Sequence, residues 1–495
     1  MKFGLGIQSM DITERINKTR KCVYIGRNFI LNKKKLYLGV YGCQMNVADG
    51  ERMAGELASL GYERLPETAA PDEADMILLV TCCVRETAED KIYGKLGEYK
   101  HLKEKNPRLI LGITGCMAQK EGDALVKRAP HLDFVLGTNK IAELVPLVER
   151  LEKAREALDS VNEADAEAMS EARKAIRRQR VVDTAEKNDI SEGLAIAREG
   201  SLSAWVPIMY GCNNFCTYCI VPYVRGRERS RRVGDILTEV QEAVGNGYKE
   251  ITLLGQNVNS FGKDLQGEEK STFAQLLSEA DKVSGLLRLR YMTSHPKDMS
   301  DEVIKAVADG EHICEHFHLP VQYGSDKILK AMNRVYTTGK YRELIRRVRE
   351  AVPDISLTTD LIVGFPGETE EDFRELLDFI KEIRYDQAYT FIYSKRSGTP
   401  AAEMENQVPE EIKHARLNEL MELQNKISLE INEKLVGTLQ EVMVEGPSSK
   451  NPSVWTGRTR TNKICLWTHG TELPGQLINV KVTQAQTWLL RGEIA

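Results

Sequence analysis

Three cysteines in the stretch YGCNNFCTYC constrain this chain more than any other feature. Cys212, Cys216 and Cys219 follow the spacing C-x3-C-x2-C, directly after an apolar run at residues 204–209 that predicts a strand. They can fill three corners of a tetrahedral metal site, and no further cysteine or histidine lies close in sequence. A structural zinc site needs four protein ligands. Three thiolates on a 4Fe-4S cluster leave one iron open, so the spacing favours a cluster over zinc.

Composition indicates a globular protein of the cell interior. The 495 residues include ten cysteines, and the formal net charge is −5. No apolar run is long enough to cross a bilayer, and the first residues lack the apolar core of a secretory signal. We therefore expect a cytoplasmic protein without a membrane partner, whose cysteines serve metal or redox chemistry. Any surface that binds nucleic acid must be local, because the chain as a whole is acidic.

Strands and helices alternate from residue 36 onward, which predicts a doubly wound parallel sheet of the α/β class. Four apolar runs are predicted as strands, at residues 36–41, 75–81, 109–114 and from 133. A helical pattern at residues 49–60 follows the first of them. This first domain is predicted at residues 35–152, after an extension at 1–34 to which we assign no role.

Three more cysteines follow three of these strands directly: Cys43, Cys82 and Cys116. In a parallel sheet the carboxyl ends of the strands lie along one edge, so these thiols are predicted to converge on a second site. The alternative is that they are small buried residues at strand ends. Cys83 competes with Cys82, and only one of the two should be a ligand, because adjacent side chains on such a turn usually point apart.

Residues 153–200 are rich in Ala, Glu and Arg and are predicted as a charged linker or an inserted helical arm. The alternation then resumes over residues 201–432, with six predicted strands, which indicates a (βα)6 partial barrel. Chemistry in such barrels takes place at the carboxyl ends of the strands. The residues there that we expect at the cofactor site are Gly255, Gln256, Asn257, Ser294, Gln322 and Gly364.

Residues 433–495 are β-rich and carry more basic than acidic side chains. Four basic residues cluster in sequence around Trp455 and Trp467. Basic groups neutralise phosphates and aromatic rings stack on bases, so this part is predicted to be a small RNA-binding β-barrel. The alternative is an ordinary β-barrel with scattered basic residues. The predicted RNA contacts are Lys450, Arg458, Arg460 and Lys463.

Several motifs together resemble the radical S-adenosylmethionine (SAM) tRNA methylthiotransferases of the MiaB family. They are YGCQMN, VTCCVRE, GCMAQ, YGCNNFCTYC, LLGQNVNSFG, RYMTSHP, HLPVQYGS and TTDLIVGFPGE, and the similarity runs from about residue 35 to the C-terminus. The resemblance implies that Cys212, Cys216 and Cys219 hold the cluster that binds SAM, with Tyr218 beside it. It also implies an auxiliary 4Fe-4S cluster on Cys43, Cys82 and Cys116, with Cys83 in the family's variable place, and a C-terminal TRAM domain.

The resemblance further implies a reaction. A methylthio group would be placed on carbon-2 of N6-isopentenyladenosine at tRNA position 37, in the anticodon stem-loop, with two SAM molecules consumed. Ordinary acid–base groups cannot remove an unactivated aromatic hydrogen, so the cofactors carry that step. The sulfur donor and the electron donor are not indicated, and a monomer is expected.

The sequence departs from the family pattern at three places. Val80 replaces the usual Asn, Tyr323 replaces a Ser, and residues 151–175 look inserted. Within the family, two alternatives act on threonylcarbamoyladenosine in tRNA or on an aspartate of a ribosomal protein. Outside it, the alternative is an RNA-binding protein with structural zinc.

Overall fold

The computed structural model describes residues 33–66, 68–83, 86–156, 158, 161, 165–186, 189–200, 202–468 and 470–495. The N-terminal domain contains six parallel strands in the order β2-β1-β3-β4-β5-β6. In chain order the strands are β1 (Lys34–Val40), β2 (Tyr62–Arg64), β3 (Met76–Thr81), β4 (Ile110–Gly115), β5 (Phe134–Leu136) and β6 (Val181–Asp183). The predicted parallel α/β sheet is confirmed, and residues 1–32 of the predicted extension lie outside the described part.

Helices cover both faces of this sheet. Every residue of β3 and β4 is buried, as expected for central strands between two helical layers. The first helix begins at Gln44, directly after Cys43 and five residues before the predicted start, because Met45 and Ala48 continue its buried face. The helices are α1 (Gln44–Ala58), α2 (Glu86–Lys105), α3 (Cys116–Glu121), α4 (Asp123–Arg128), α5 (Leu144–Glu156) and α6 (Ala166–Arg178).

The charged segment is more ordered than a linker. Its inserted helix is α6, whose N-terminus is capped by the Asp165 carboxylate. β6 then adds a sixth strand to the sheet, well past residue 152. Residues 189–200, here called the strap, run along α1: the Ala195 amide donates to Glu56 Oε1 at 2.8 Å and the Ala197 amide to the Glu51 carbonyl at 2.9 Å.

The predicted partial barrel is confirmed. Its six parallel strands form two hydrogen-bonded triplets, β7-β10-β11 and β12-β13-β14, joined by a parallel bridge between Leu289 and Ile313. The strands of this part are β7 (Ser203–Pro207), β8 (Met209–Tyr210), β9 (Arg229–Ser230), β10 (Glu250–Leu254), β11 (Arg288–Met292), β12 (His316–His318), β13 (Ser356–Val363) and β14 (Gln387–Ile392). Its helices are α7 (Val221–Arg225), α8 (Val233–Gly245), α9 (Phe273–Ala280), α10 (Asp301–Asp309), α11 (Asp326–Ala331), α12 (Thr338–Ala351), α13 (Glu370–Ile383) and α14 (Glu410–Glu433).

A closed five-stranded barrel ends the chain, in the order β15-β16-β17-β19-β18. Its strands are β15 (Leu439–Pro447), β16 (Val454–Thr459), β17 (Ile464–Thr468), β18 (Leu477–Ala485) and β19 (Leu489–Ile494). Arg288 and Arg290 of β11 donate to backbone carbonyls of residues 458–460, so this barrel docks at the amino ends of the larger barrel's strands. None of the helices in the described residues is long and apolar enough to span a membrane.

Candidate active site

The three-cysteine loop leaves β8 and is held tightly against its surroundings. Gly211 has φ +74°, and a Cβ there would lie 2.1 Å from the Arg227 carbonyl oxygen, so only glycine fits. The Cys212 amide donates to the Gly226 carbonyl, and the Cys219 amide to the Cys216 carbonyl. The loop therefore brings all three predicted ligands together, with Cys212 and Cys216 buried and Cys219 half-buried.

These thiols influence one another electrostatically. Burial raises the pKa of Cys219 to about 12, and the charges of Cys216 and Cys212 add to the rise. Burial likewise raises the pKa of Cys212 to about 11. Three thiolates cannot share this loop without a cation, because each negative charge destabilises the next. A bound metal centre supplies the positive charge that compensates them.

The donor set fits a cluster better than a single ion. In the described part of the chain, no three Cys, His, Asp or Glu side chains converge on a point where one ion would touch them all. A zinc ion holds its thiolates at about 2.3 Å. A four-iron cluster instead takes one thiolate per iron, so its three ligands need not touch a single ion. Hydrogen bonds already point at two of the sulfurs, from Asn214 Nδ2 to Cys212 Sγ and from Arg334 Nη1 to Cys216 Sγ, each at 3.4 Å.

The cofactor residues predicted at strand ends lie on loops at the same edge as the cysteine loop. Asn257 is buried, its Oδ1 accepting from the His295 amide and its Nδ2 donating to Asp298. It therefore braces two loops against each other. Ser294 is buried and its hydroxyl has no hydrogen-bond partner among the described residues, as expected of a group that awaits a ligand. Gly255 and Gln256 follow β10, and Tyr218 lies half-buried between two of the cysteines.

Backbone strain concentrates around this edge. Four of the six non-glycine residues with positive φ in the described chain lie here: Phe215, Thr293, Gln322 and Asn333. Such conformations persist where the surrounding structure enforces them, commonly at binding sites. Gly364 has φ +73° and lies against Lys413, where a Cβ would be 2.3 Å from Cγ. Tyr323, the departure from the family pattern, is fully buried in the core rather than exposed to a pocket.

Cys43, Cys82 and Cys116 lie at the carboxyl edge of the N-terminal sheet. Cys43 immediately precedes α1, Cys82 follows β3, and Cys116 begins α3 after β4. At Gly42, φ is +117° and a Cβ would lie 2.5 Å from the Cys82 Cβ, so this turn packs directly against Cys82. The strand-end argument from sequence thus places the three residues on neighbouring loops.

Cys83 occupies a different position from Cys82. It hydrogen-bonds to Cys116, and this bond together with the Arg225 charge lowers the pKa of Cys116 to about 6 despite burial. The pKa of Cys83 itself is raised by that bond and by burial. The two adjacent cysteines therefore face different neighbours, as the turn predicts, and their assignment as ligand or neighbour stays a prediction.

The two cysteine sites are connected through α7. This helix begins two residues after Cys219, and its Val224 packs in the core of the N-terminal domain beside Cys116. Its last residue, Arg225, donates to Asn46 and Asp49 of α1. Cys43 in turn belongs to a small apolar cluster between the two domains, together with Trp205, Tyr210, Leu254 and Met292 of the larger barrel.

A buried ion network holds the same domain interface. The Glu239 carboxylate of α8 accepts from Arg52 of α1, Arg198 of the strap and Arg231 after β9, at 2.5–3.0 Å. Burial opposes ionisation of Glu239, but the three arginines outweigh it and lower its pKa below the ordinary value. None of these four residues was predicted from sequence, because the partners lie far apart along the chain.

The barrel lumen has a polar wall that the sequence reasoning missed. His316 and His318 both contact Thr358 Oγ1 at 3.0 Å, and His318 Nε2 lies 3.6 Å from Asp360 Oδ1. Tyr389, 46% exposed, packs its ring edgewise on His318. Closed barrels fill this space with branched apolar side chains. The sequence signal for this wall was the presence of polar residues at alternate positions of the strand segments HFH (316–318) and TTD (358–360), which places them on one face.

Most of the predicted RNA contacts are engaged inside the protein. Arg460 forms a bidentate pair with Glu315 and donates to the carbonyls of residues 311 and 313. Lys463 pairs with Asp386 at 2.5 Å and Arg458 with Glu445 at 2.9 Å. Lys450 alone of the four is exposed without an ion pair among the described residues.

The aromatic part of that prediction is wrong for Trp467. This residue is 2% exposed in the core of the small barrel, so it cannot stack on a base. Trp488, 64% exposed, was not singled out from the sequence. Tryptophan alternates between core and surface roles in β-barrels, and composition does not separate them.

Comparisons with known proteins identify the class first. The chain matches the model of the Radical SAM superfamily over residues 206–380, which include the cysteine loop and most of the barrel. Residues 35–137 match Uncharacterized protein family UPF0004, and residues 433–495 match the TRAM domain. The chain is a radical-SAM protein.

The particular family follows from curated relatives. The chain is 50% identical over 462 residues to the tRNA-2-methylthio-N(6)-dimethylallyladenosine synthase of Carboxydothermus hydrogenoformans, covering 93% of this chain and 99% of that one. It is 50% identical over 467 residues to the synthase of the same name from Desulforamulus reducens, covering 94% and 96%. The chain belongs to this family of synthases, the MiaB family.

A solved structure shows the fold independently of close sequence similarity. The radical S-adenosylmethionine methyltransferase TsrM of Kitasatospora setae superposes with a TM-score of 0.52 at 15% identity, covering 83% of this chain and 77% of that one. That structure contains cobalamin and a 4Fe-4S cluster. At this identity the likeness extends to the architecture alone.

Proposed function

We propose that this protein adds a methylthio group to carbon-2 of N6-isopentenyladenosine at position 37 of tRNA. One observation carries the proposal: two separate cysteine triads meet at one domain interface, where Arg225, six residues after Cys219, contacts Cys116. The family supports the substrate, because relatives at 50% identity bear the name of that synthase. The rival substrates, threonylcarbamoyladenosine and a ribosomal-protein aspartate, lack such support.

Each triad would hold one 4Fe-4S cluster with one open iron. Cys212, Cys216 and Cys219 would hold the cluster that binds SAM, and Cys43, Cys82 and Cys116 the second. When bound, the first cluster would generate the radical from SAM, and the second would hold the sulfur that is transferred. The protein supplies position: Gly211 fixes the loop, Asn257 braces the neighbouring loops, and the Ser294 hydroxyl is free to bind SAM.

The substrate base would enter the polar lumen. His318, Asp360 and Tyr389 offer hydrogen-bonding groups and an aromatic face there. Flipped or unpaired bases are bound through such edges and faces. Lys450 remains the candidate phosphate contact of the small barrel. The proposal also requires a sulfur donor and an electron donor, and it includes a monomeric protein in the cytoplasm.

The test uses protein reconstituted anaerobically with iron and sulfide, SAM, dithionite and an anticodon stem-loop containing N6-isopentenyladenosine. We expect the methylthio nucleoside by mass spectrometry. Cys212→Ala should abolish SAM cleavage, whereas Cys82→Ala should keep cleavage and stop methylthiolation. Equal loss of cleavage in both variants would contradict separate roles for the triads.

A matched pair of variants tests the ligand assignment. Cys82→Ser should lose about half of the bound iron, while Cys83→Ser should keep it, because Cys83 is placed as a hydrogen-bond donor to Cys116. The reverse result would make Cys83 the ligand. Methylthiolation of a threonylcarbamoyladenosine stem-loop instead would replace the proposed substrate.

A further inference from the structure

Each cysteine triad has one buried arginine against it. Arg334, which is 7% exposed, donates from Nη1 to Cys216 Sγ at 3.4 Å. Arg225, which is 2% exposed, hydrogen-bonds to Cys116 and lies near Cys43. The function proposed above assigns no role to Arg334 and uses Arg225 only as a link between domains.

The two arginines differ in their counter-ions. Arg225 forms an ion pair with the buried Asp49 carboxylate at 3.0 Å and also donates to Asn46 Oδ1 at 2.7 Å. Arg334 donates to the Tyr336 hydroxyl at 2.8 Å and to the Pro320 carbonyl at 2.6 Å, and both acceptors are neutral. Within the described residues Arg334 makes no ion pair with a carboxylate.

A buried guanidinium without an anion is strongly disfavoured. The groups around Arg334 that can carry negative charge are the Cys216 sulfur and the phenols of Tyr218 and Tyr336. An ordinary phenol is neutral at pH 7. The compensating anion must therefore come from Cys216 together with whatever it binds.

We infer that Arg334 sets the reduction potential of the cluster held by Cys212, Cys216 and Cys219, and that Arg225 acts more weakly on the second cluster. The inference rests on the proposed function, which places a 4Fe-4S cluster on each triad. One-electron reduction by an external reductant adds one negative charge and breaks no bond. A fixed positive charge nearby stabilises the reduced state and raises the potential, whereas Asp49 offsets most of that charge at Arg225.

The test is a redox titration of the reconstituted full chain with dithionite and mediators, followed by electron paramagnetic resonance. A background with Cys43, Cys82 and Cys116 changed to Ala isolates the first cluster. There, Arg334→Gln should lower the midpoint potential by at least the 59 mV that corresponds to a tenfold shift in a one-electron equilibrium. Arg334→Lys, which keeps the charge, should stay near the parent value.

The second cluster is titrated in the complementary background, with Cys212, Cys216 and Cys219 changed to Ala. Arg225→Gln should move its potential by less than Arg334→Gln moves the first. An equal or larger shift would overturn the ranking, because it would mean that Asp49 does not offset the charge.

Two outcomes at Arg334 overturn the inference. An Arg334→Gln variant with parental iron content and parental potential overturns the inference. If Arg334→Gln takes up no iron, Arg334→Met replaces it, and the same comparison applies. If both neutral variants fail to bind iron while Arg334→Lys binds it, the charge is needed for assembly rather than potential, and the inference is also overturned. A parent protein that binds no cluster at all would instead refute the proposed function.

Discussion

Replacing Glu239 with glutamine removes the charge that holds the two large domains together. Its carboxylate accepts from Arg52, Arg198 and Arg231, whose side chains are all at least nine-tenths buried. Arg231 keeps a second carboxylate, Glu192, but Arg52 and Arg198 lose the carboxylate with which they pair. Removing one partner of a buried ion pair costs about 3–5 kcal/mol, because the remaining charge stays buried. We expect about 3 kcal/mol for opening of the interface.

Amide hydrogen exchange of the strap measures that opening locally. The amides of Ala195 and Ala197 bond to α1 across the affected region. A change of about 3 kcal/mol corresponds to roughly a hundredfold faster exchange at 25 °C, where each 1.4 kcal/mol is tenfold. The matched control is Glu343→Gln, which breaks a solvent-exposed pair with Arg346 that contributes little to stability. If the strap exchanged no faster in the Glu239 variant than in this control, the network would not hold the domains.

Three further outcomes are expected. Because the arginines outweigh burial and lower the folded-state pKa of Glu239, its contribution is fully present above the unfolded carboxyl pKa of about 4.5. Strap protection should fall progressively as pH drops from there through the lowered folded-state pKa. Gly42→Ala should lower the free energy of unfolding by about 1–3 kcal/mol and lose half of the bound iron, because its Cβ would meet Cys82. The control Gly94→Ala, which has open space around it, should be neutral or stabilising in thermal unfolding. Arg460→Ala should make the small barrel more sensitive to limited proteolysis, because it removes the pair with Glu315. Its RNA affinity, measured by filter binding, should fall less than that of Lys450→Ala. The opposite order would restore Arg460 as an RNA contact.

The cysteine positions were predictable because they follow from strand topology. Runs such as MILLVT and ILGITG are buried at every residue, and the carboxyl ends of parallel strands share an edge. Cys82 and Cys116 directly follow these two strands. The only additional assumption is the order of strands in the sheet, which places β3 between β1 and β4.

Charge patterns were much less predictive. Arg460 and Lys463 lie in a basic, tryptophan-containing stretch, which is typical of a surface that binds nucleic acid. Their acidic partners, Glu315 and Asp386, are 145 and 77 positions away in sequence. Nothing local distinguishes an arginine that awaits a phosphate from one that closes a domain interface, because both need the same donor groups.

In the segment between the domains, the helix was predicted but the added strand and the strap were not, for a related reason. Its composition favours an exposed helix, and α6 is such a helix. However, β6 pairs with β5 over only three residues. The strap is held on α1 by hydrogen bonds from its backbone amides, and on α8 by the Arg198–Glu239 ion pair. Short edge strands carry little periodic signal, so their pairing becomes visible only in the folded chain.

The link through α7 shows why the two cysteine sites cannot vary independently. Five helical residues separate the cysteine loop from Gly226, at a rise of about 1.5 Å per residue. Val224 is fixed in the N-terminal core, with its carbonyl accepting from the Thr138 hydroxyl at 2.8 Å, and Arg225 is fixed on Asp49. Because the N-terminal domain holds Val224 and Arg225, and the cysteine loop leads directly into this helix, a shift of Cys219 relative to Cys116 would strain these contacts. The distance between the two sites is therefore set by this short helix and its contacts, and not by the charged linker or inserted helical arm predicted between the domains.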